Sequence, residues 1–483
     1  MINDYFSEQI KRNFPHEPTS EQEECILKLS AFLFDTKNES LFVLKGYAGT
    51  GKSSLLGAVV KTMTELQQKS VLLAPTGRAA KVFASYSGQN AFTIHKKIYR
   101  QKAFSNEQSG FAPADNLHTN TLFIVDEASM ISNDGFDSHS FGSGRLLDDL
   151  IHYVYSGEGC RLLLMGDSAQ LPPVSQSNSP ALEIDMLQSY GMNIHSMVLT
   201  QVVRQAAISG ILQNATQLRM SLLKNKVLTF PQLITKNLAD VKVVRGDELI
   251  ECIEDAYSRD GIEETIIITR SNKQANIFNN GIRNRILDRE EELSAGDLLM
   301  VAKNNYFWGK SNEKKRDNTQ TNEAGIDFIA NGDVVEVQKV RKTQEIYGFR
   351  FCDVCLRFPD YDLEMEAKIL LETLQSESPA LSKEMNDKLF YTILEDYADI
   401  GVQRERMRKM KADPYYNVLQ VKYAYAITCH KAQGGQWKNV FLDLSYVPKE
   451  YLGVDFYRWL YTAFTRATER IFLINPAKEM IEN

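Results

Sequence analysis

Through the first two hundred residues, short unbroken apolar runs alternate with longer stretches of helical periodicity. The runs are LFVL at 41–44, SVLLAP at 70–75, TLFIVD at 121–126, RLLLMGD at 161–167 and MVLTQV at 197–202. Segments such as SSLLGAVVKTMTELQQ lie between them. Continuous apolar strands that alternate with helices predict a parallel sheet covered on both faces. The pattern resumes at ETIIITRSNKQANIFNNGIRNRIL and returns in LQVKYAYAIT, KNVFLDLSYV and RIFLIN. From Asn331 the texture changes. NGDVVEVQKV and YGFRFCDVCLRF alternate like half-buried antiparallel strands, and a charged, helix-prone segment follows over roughly 362–412. Residues 101–120, 132–145 and 308–325 are polar and read as loops, the first of them as a small inserted subdomain at about 96–120.

The predicted class is therefore α/β, with parallel sheets and a small β insertion in the second domain. The expected division is a first domain at 1–195, a second at 196–330 and 419–483, and the insertion at 331–418. A chain of 483 residues is too long for one core.

Composition narrows the chemistry. Net charge is −7, so a binder that relies on overall positive charge is excluded, and any nucleic-acid site must be a local groove. Six scattered cysteines fit a reducing compartment. Cys352 and Cys355 form a lone C-x-x-C, and on a strand positions i and i+3 face opposite sides, so the pair reads as structural. No run approaches a membrane span, and MINDYFSEQIKRNF has no apolar signal region. The expectation is a soluble, cytoplasmic protein with no long extension ahead of Gln22.

The candidate chemistry begins at FVLKGYAGTGKSSLL, a strand that runs into the pattern G-x-x-x-x-G-K-S. Gly46, Ala48, Gly49, Thr50 and Gly51 would let backbone N–H groups converge on phosphate, at the positive end of a helix that carries Ser53 and Ser54. Lys52 can reach the β and γ phosphates, and the Ser53 hydroxyl can ligate magnesium. Asp126 and Glu127 end an apolar strand, where one carboxylate can hold the metal and the other can activate water. Gln170 ends another strand and could sense a γ-phosphate; Arg204 and Arg466 could meet transition-state charge. The amide of Gln22 could read adenine, or the stretch TSEQE could simply cap a helix. No N-K-x-D guanine signature is present.

The ordered set GYAGTGKSS, LLAPTGRAAKVF, TIHKKIY, VDEASM, GDSAQLPPV, LTQVVRQ, AITCHKAQGGQW and YTAFTRA resembles superfamily 1 helicases. It is most similar to the RecD/Dda-like branch, with the Pif-type helicases as close cousins, and the motifs run from about residue 14 to 470. The resemblance implies two RecA-like domains that clamp ATP and magnesium, single-stranded DNA across their tops, and 5′→3′ movement that unwinds tailed duplex in repair, recombination or replication. It implies that Gln22 reads adenine and that Gln170, Arg204 and Arg466 contact the γ-phosphate. Pro75, Thr76 and Arg78, then Thr93 and His95, then Thr428, His430 and Lys431 match the strand-contacting motifs. The insertion matches a small SH3-like barrel and is expected to convert stepping into unwinding. The short stretch at 96–120 leaves room only for a small strand-separating pin. The alternatives are a DNA-stimulated ATPase that remodels protein–DNA complexes without unwinding, and a nucleotide switch.

Overall fold

The structure is a computed structural model that describes residues 2–35, 39–101, 111–135, 142–203, 209–305, 307–309, 329–360 and 362–482. The chain forms two compact units. The first comprises Met1–Val244, Ala432–Val440 and Leu444–Asn483; the second comprises Arg245–Lys431 and Phe441–Asp443.

The first unit is built on strands β1 (Ser40–Gly46), β2 (Lys69–Ala74), β3 (Ala91–Thr93), β6 (Thr121–Val125), β7 (Arg161–Gly166) and β8 (Asn193–Leu199). A separate antiparallel pair, β4 (Tyr99–Gln101) and β5 (Phe111–Pro113), lies within the expected subdomain. The six-stranded sheet has the order β3-β2-β6-β7-β1-β8, and its pairs are parallel. Strands β1, β2, β6 and β7 fall where the apolar runs lie because a strand buried on both faces needs an unbroken apolar stretch, whereas the edge strand β8 starts and ends earlier than the run at 197–202 because only its last residues are buried. Phe42, Leu44, Ile124 and Leu163 from the sheet pack with Phe32, Leu56 and Val59 from the flanking helices Ser20–Leu33 and Lys52–Glu65. Parallel pairing puts the carboxyl ends of all six strands on one edge. The loops after Gly46, Ala74, Val125 and Gly166 therefore gather there. Strand β7 lies between β1 and β6, so the loop after Gly166 falls between the phosphate loop and Asp126. The first unit also holds β9 (Val241–Val244).

In the second unit, β10 (Thr265–Thr269) leads into the helix Asn272–Arg285, whose N-cap Ser271 accepts a hydrogen bond from the Gln274 amide. A closed barrel comes next, made of β11 (Leu298–Val301), β12 (Val334–Ile346), β13 (Phe349–Phe358), β14 (Leu363–Leu370) and β15 (Leu419–Tyr423). Strand β16 (Ala426–Thr428) runs parallel to β10. Strand β17 (Trp437–Asp443) is divided between the units, and β18 (Ala467–Ile474) runs parallel to β9 in the first. Both units thus carry parallel α/β structure, and the second adds a barrel, in keeping with the predicted RecA-like class.

Two expectations change here. LEMEAKIL, read as the start of a helical segment, is strand β14. Its apolar residues Leu363, Met365, Ala367 and Ile369 recur with period two, and pairing with β13 outweighs the helix propensity of Glu, Met and Ala. The helices begin only at Lys383–Glu395 and Gln403–Lys411, where Leu389, Ile393 and Met410 cover Phe349, Phe351 and Leu370 of the barrel. The barrel also takes β11 and β15 from outside 331–418, because closure needs both flanking strands. Cys352 and Cys355 are free thiols on β13. Residues 310–325 of the expected polar loop lie outside the described residues. Among the described residues no helix is long and apolar enough to cross a membrane.

The closure carries a prediction. Replacing 331–418 with a short Gly/Ser linker removes β12–β14 and strips Leu298, Leu299, Met300 and Leu419 of their partners on β12 and β14. Each such side chain contributes about 1.5–3 kcal/mol by burial. Their sum reaches the roughly 5–15 kcal/mol that separates a folded domain from its unfolded chain. The variant is expected to be insoluble or to lose cooperative melting of the second unit by circular dichroism. Cooperative melting at the parent temperature would show that the two flanking strands hold without the insertion.

Candidate nucleotide and strand-contact sites

The phosphate loop spans residues 47–51 between β1 and the helix Lys52–Glu65. Two of its glycines answer to specific constraints. Gly49 has φ +75° and Gly51 has φ +79°, a region that side chains avoid. A Cβ at Gly51 would also stand 2.4 Å from Gln22 Nε2. The Lys52 ammonium donates to the carbonyls of Gly46 (2.6 Å) and Tyr47 (3.0 Å), so it lies folded into the cradle. Thr50 is buried and its hydroxyl donates to Tyr47 O. Ser53, in the first turn, is exposed.

Gln22 is buried beside this loop, and both ends of its amide are engaged. Nε2 donates to Thr50 O at 2.9 Å, and Oε1 accepts from the Thr19 amide at 2.9 Å. The helix cap expected around Thr19 or Ser20, with Glu23 as partner of Ser20, forms instead as a reciprocal capping box between Thr19 and Gln22. The same side chain ties helix Ser20–Leu33 to the phosphate loop.

Around the loop stand three carboxylates. Asp126 Oδ1 accepts from the Glu127 amide, and Oδ2 accepts from the Tyr86 hydroxyl, each at 2.7 Å. Burial, then the neighbouring Glu127, push Asp126 well above the usual carboxylate range, while Tyr86 and Lys52 oppose the shift. Glu127 sits at φ +51°, an uncommon backbone for a non-glycine residue. Asp167, at the end of β7, is buried and likewise raised, mainly by desolvation, with Lys52 opposing. Its Oδ2 accepts from the Tyr461 hydroxyl at 2.6 Å, and that hydroxyl accepts from the Ala48 amide at 2.9 Å. Gln170 is buried, and its Oε1 has no hydrogen-bond partner among the described residues.

Arg466 follows the helix Val454–Phe464. It is 3% exposed, and its Nη1 lies 3.4 Å from Glu127 Oε1. Its other contacts are Thr462 O, Gly435 O and Thr465 Oγ1. The structure thus brings Gln22, Lys52, Asp126, Glu127, Gln170 and Arg466 to one sheet edge in the first unit. Arg204 lies outside the described residues. Asp167, Tyr86 and Tyr461 were not foreseen. GDSAQ was visible as a strand end, but only the strand order sets Asp167 beside Lys52.

The donor set fits magnesium. Carboxylates and a serine hydroxyl are hard oxygen donors, and buried carboxylates this close call for a cation. Among the described residues no three acidic, histidine or cysteine side chains form a metal cage of their own. That suits an ion that protein normally holds with one or two groups plus substrate phosphates.

The strand-contact candidates divide between the units. In the first, Pro75 and Thr76 follow β2. Thr76 caps helix Gly77–Ser87 by accepting from the Ala79 amide. The Arg78 guanidinium lies 4.0 Å from the centroid of the Trp437 ring and donates to Gln436 O. Thr93 is buried and caps the short helix Ile94–Ile98 through the Lys96 amide. His95 departs from the expectation of a basic grip. Burial lowers it to about 4, so at neutral pH it is an uncharged ring. In the second unit, Thr428 ends β16 and His430 is exposed. Thr428 and Lys431 line a small cavity with Asn272, Asn276, Asn279 and Lys422. The Lys431 ammonium is buried without a hydrogen-bond partner among the described residues, and burial lowers it to about 8.

Comparisons with known proteins agree with this geometry. An AAA domain matches residues 33–226 and a UvrD-like helicase C-terminal domain matches 423–474. The chain is 35% identical over 176 residues to the ATP-dependent RecD2 DNA helicase of Deinococcus radiodurans, covering 36% of this chain and 21% of that one. It is 23% identical to the ATP-dependent DNA helicase dda of Enterobacteria phage T4, over 53% of this chain and 55% of that one. With the ATP-dependent DNA helicase Pif1 of Campylobacter jejuni it shares 21% identity over 88% of this chain and 86% of that one. The first two matches thus span about a fifth and about half of those relatives. The two matching domains lie in order along the chain, and Tyr461 and Arg466 of the second meet Ala48 and Glu127 of the first: together with these relatives they support a superfamily 1 helicase of the RecD/Pif-like kind.

Proposed function

We propose that the protein hydrolyses ATP to move 5′→3′ along single-stranded DNA and to unwind tailed duplex. The observation that carries this reading is Arg466, from near the end of the chain, set 3.4 Å from Glu127 beside the phosphate loop. An arginine at the water-activating carboxylate supports hydrolysis; the likeness to ATP-dependent DNA helicases favours a motor over a switch. Phosphate would replace the Gly46 and Tyr47 carbonyls as partner of the Lys52 ammonium and would meet the amides of the loop. Ser53 and Asp126 would hold magnesium, which neutralises phosphate charge. Glu127 accepts the proton of the attacking water, Gln170 offers its amide toward the γ-phosphate, and Arg466 balances the charge that builds there. Gln22 holds the loop in register and would read adenine by exchanging one of its present partners.

Single-stranded DNA would lie against Pro75, Thr76, Arg78 and Thr93 in the first unit and against Thr428, His430 and Lys431 in the second. Hydroxyls, helix starts and cations of this kind grip phosphates without reading bases. The 331–418 segment is proposed to press on duplex, and the 96–120 subdomain to act as the pin. Strand displacement on duplexes with a 5′ or a 3′ tail tests the reading. Unwinding of the 5′-tailed substrate alone supports it. DNA-stimulated hydrolysis without displacement of either would favour remodelling of protein–DNA complexes, and displacement of the 3′-tailed substrate would reverse the direction.

Lys431 gives a separate expected result. Lys431→Ala should weaken single-strand binding about equally across sequences and flatten the log–log salt slope by roughly 0.7, the value for one phosphate contact. Because burial holds the free ammonium near 8, binding a phosphate above that pH takes up a proton. Parent affinity should therefore fall as pH rises above about 8, and the Ala variant should lose that part of the dependence. Fluorescence anisotropy across salt and pH checks both. Unchanged binding would make Lys431 a structural residue.

A further inference from the structure

Helix Gly77–Ser87 touches two candidate sites at once. Its start carries the strand-contact candidates Thr76 and Arg78. Its last turn carries Tyr86, whose hydroxyl donates to Asp126 Oδ2 at 2.7 Å. Tyr86 therefore contacts the carboxylate that would hold magnesium. We infer that Tyr86 is a positioning residue through which strand contact at Thr76 and Arg78 acts on Asp126. The inference rests on the motor reading above and adds the route by which DNA reaches the ATP site.

Four features make the helix a stiff link. Its 11 residues span about 16 Å, with Thr76 capping one end and Gly88, at φ +70°, closing the other. The Tyr86 ring stacks on Phe83 at 5.2 Å, and Phe83 is fully buried in the core of the first unit. A Cβ at Gly57 would stand 3.0 Å from Tyr86 O, so the helix that follows the phosphate loop lies directly against this last turn. At the other end, a Cβ at Gly434 would stand 2.8 Å from Ala79 Cβ, and Arg78 is held over Trp437. A shift imposed at Thr76 or Arg78 cannot be absorbed within so short a helix. It must change how the Tyr86 hydroxyl meets Asp126. Asp126 Oδ1 is fixed by the Glu127 amide, so that change turns the carboxylate beside the water-activating residue.

The test uses the full chain and Tyr86→Phe, which keeps the ring and its stacking and removes only the hydroxyl. Anisotropy of a labelled oligo-dT gives strand affinity with and without ATPγS and magnesium. In the parent, nucleotide should change strand affinity by about fivefold or more, the usual size of site-to-site coupling. In Tyr86→Phe the change should fall below about twofold, while nucleotide-free strand affinity stays near the parent value. Stimulation of ATP turnover by saturating oligo-dT should fall in parallel. A parent-sized nucleotide effect in Tyr86→Phe overturns the inference and leaves the motor reading intact. A parent with neither a nucleotide effect nor DNA-stimulated turnover overturns both.

Discussion

Glu127→Gln is expected to bind ATP and to turn it over about 10²–10⁴-fold more slowly than the parent, the loss that follows removal of a general base. The substitution keeps size and shape, and an amide can still accept from the Arg466 guanidinium. It cannot take a proton from water. Lys52→Ala, by contrast, should abolish both tight ATP binding and hydrolysis. Its ammonium already occupies the cradle against the Gly46 and Tyr47 carbonyls, and among the described residues no other lysine or arginine is shown in contact with those oxygens. The pair separates chemistry from binding. Nucleotide affinity by fluorescence titration and single-turnover hydrolysis read the two effects. Near-parent turnover by Glu127→Gln would move the base elsewhere, with Asp167 an unassigned carboxylate on that edge.

The second large effect is at Arg466. Arg466→Ala is expected to lose about 10³-fold or more in turnover, with a much smaller change in ATP affinity. A stability cost should accompany it. The guanidinium is buried and donates to Thr462 O, Gly435 O and Thr465 Oγ1. Removing it leaves buried acceptors without a donor, at about 1–3 kcal/mol. Arg466→Lys should rescue neither, since one ammonium cannot span acceptors that a planar fork reaches together. Turnover and melting temperature measured on the same samples distinguish the roles. A full-rate Arg466→Ala with a lowered melting temperature would leave the arginine as a brace between Gly435 and the preceding helix.

The sequence by itself determined whatever contiguous residues settle locally. The phosphate loop is one case: glycines that permit φ above zero, an apolar strand before them and a helix after them are all within fifteen residues. The Thr19–Gln22 cap is another, three residues across. Strands such as TLFIVD were legible because burial on both faces leaves an unbroken apolar run, and Asp126 and Glu127 followed from the strand end. The tertiary structure decided everything that depends on distant partners. Tyr461 meets Ala48 across 413 residues, Arg466 meets Glu127 across 339, and Tyr86 meets Asp126 across 40. None of these pairings leaves a periodic trace. Asp167 became a site residue only because β7 lies between β1 and β6. His95 looked like a basic contact and is a neutral, half-buried ring, since desolvation penalises charge and no spacing rule records it. LEMEAKIL became a strand, and β11 and β15 joined the barrel, because closing a sheet on itself rewards every edge that finds a partner. Local geometry is written in neighbouring residues, whereas hydrogen-bond partners, desolvation and sheet order exist only once remote parts of the chain are packed together.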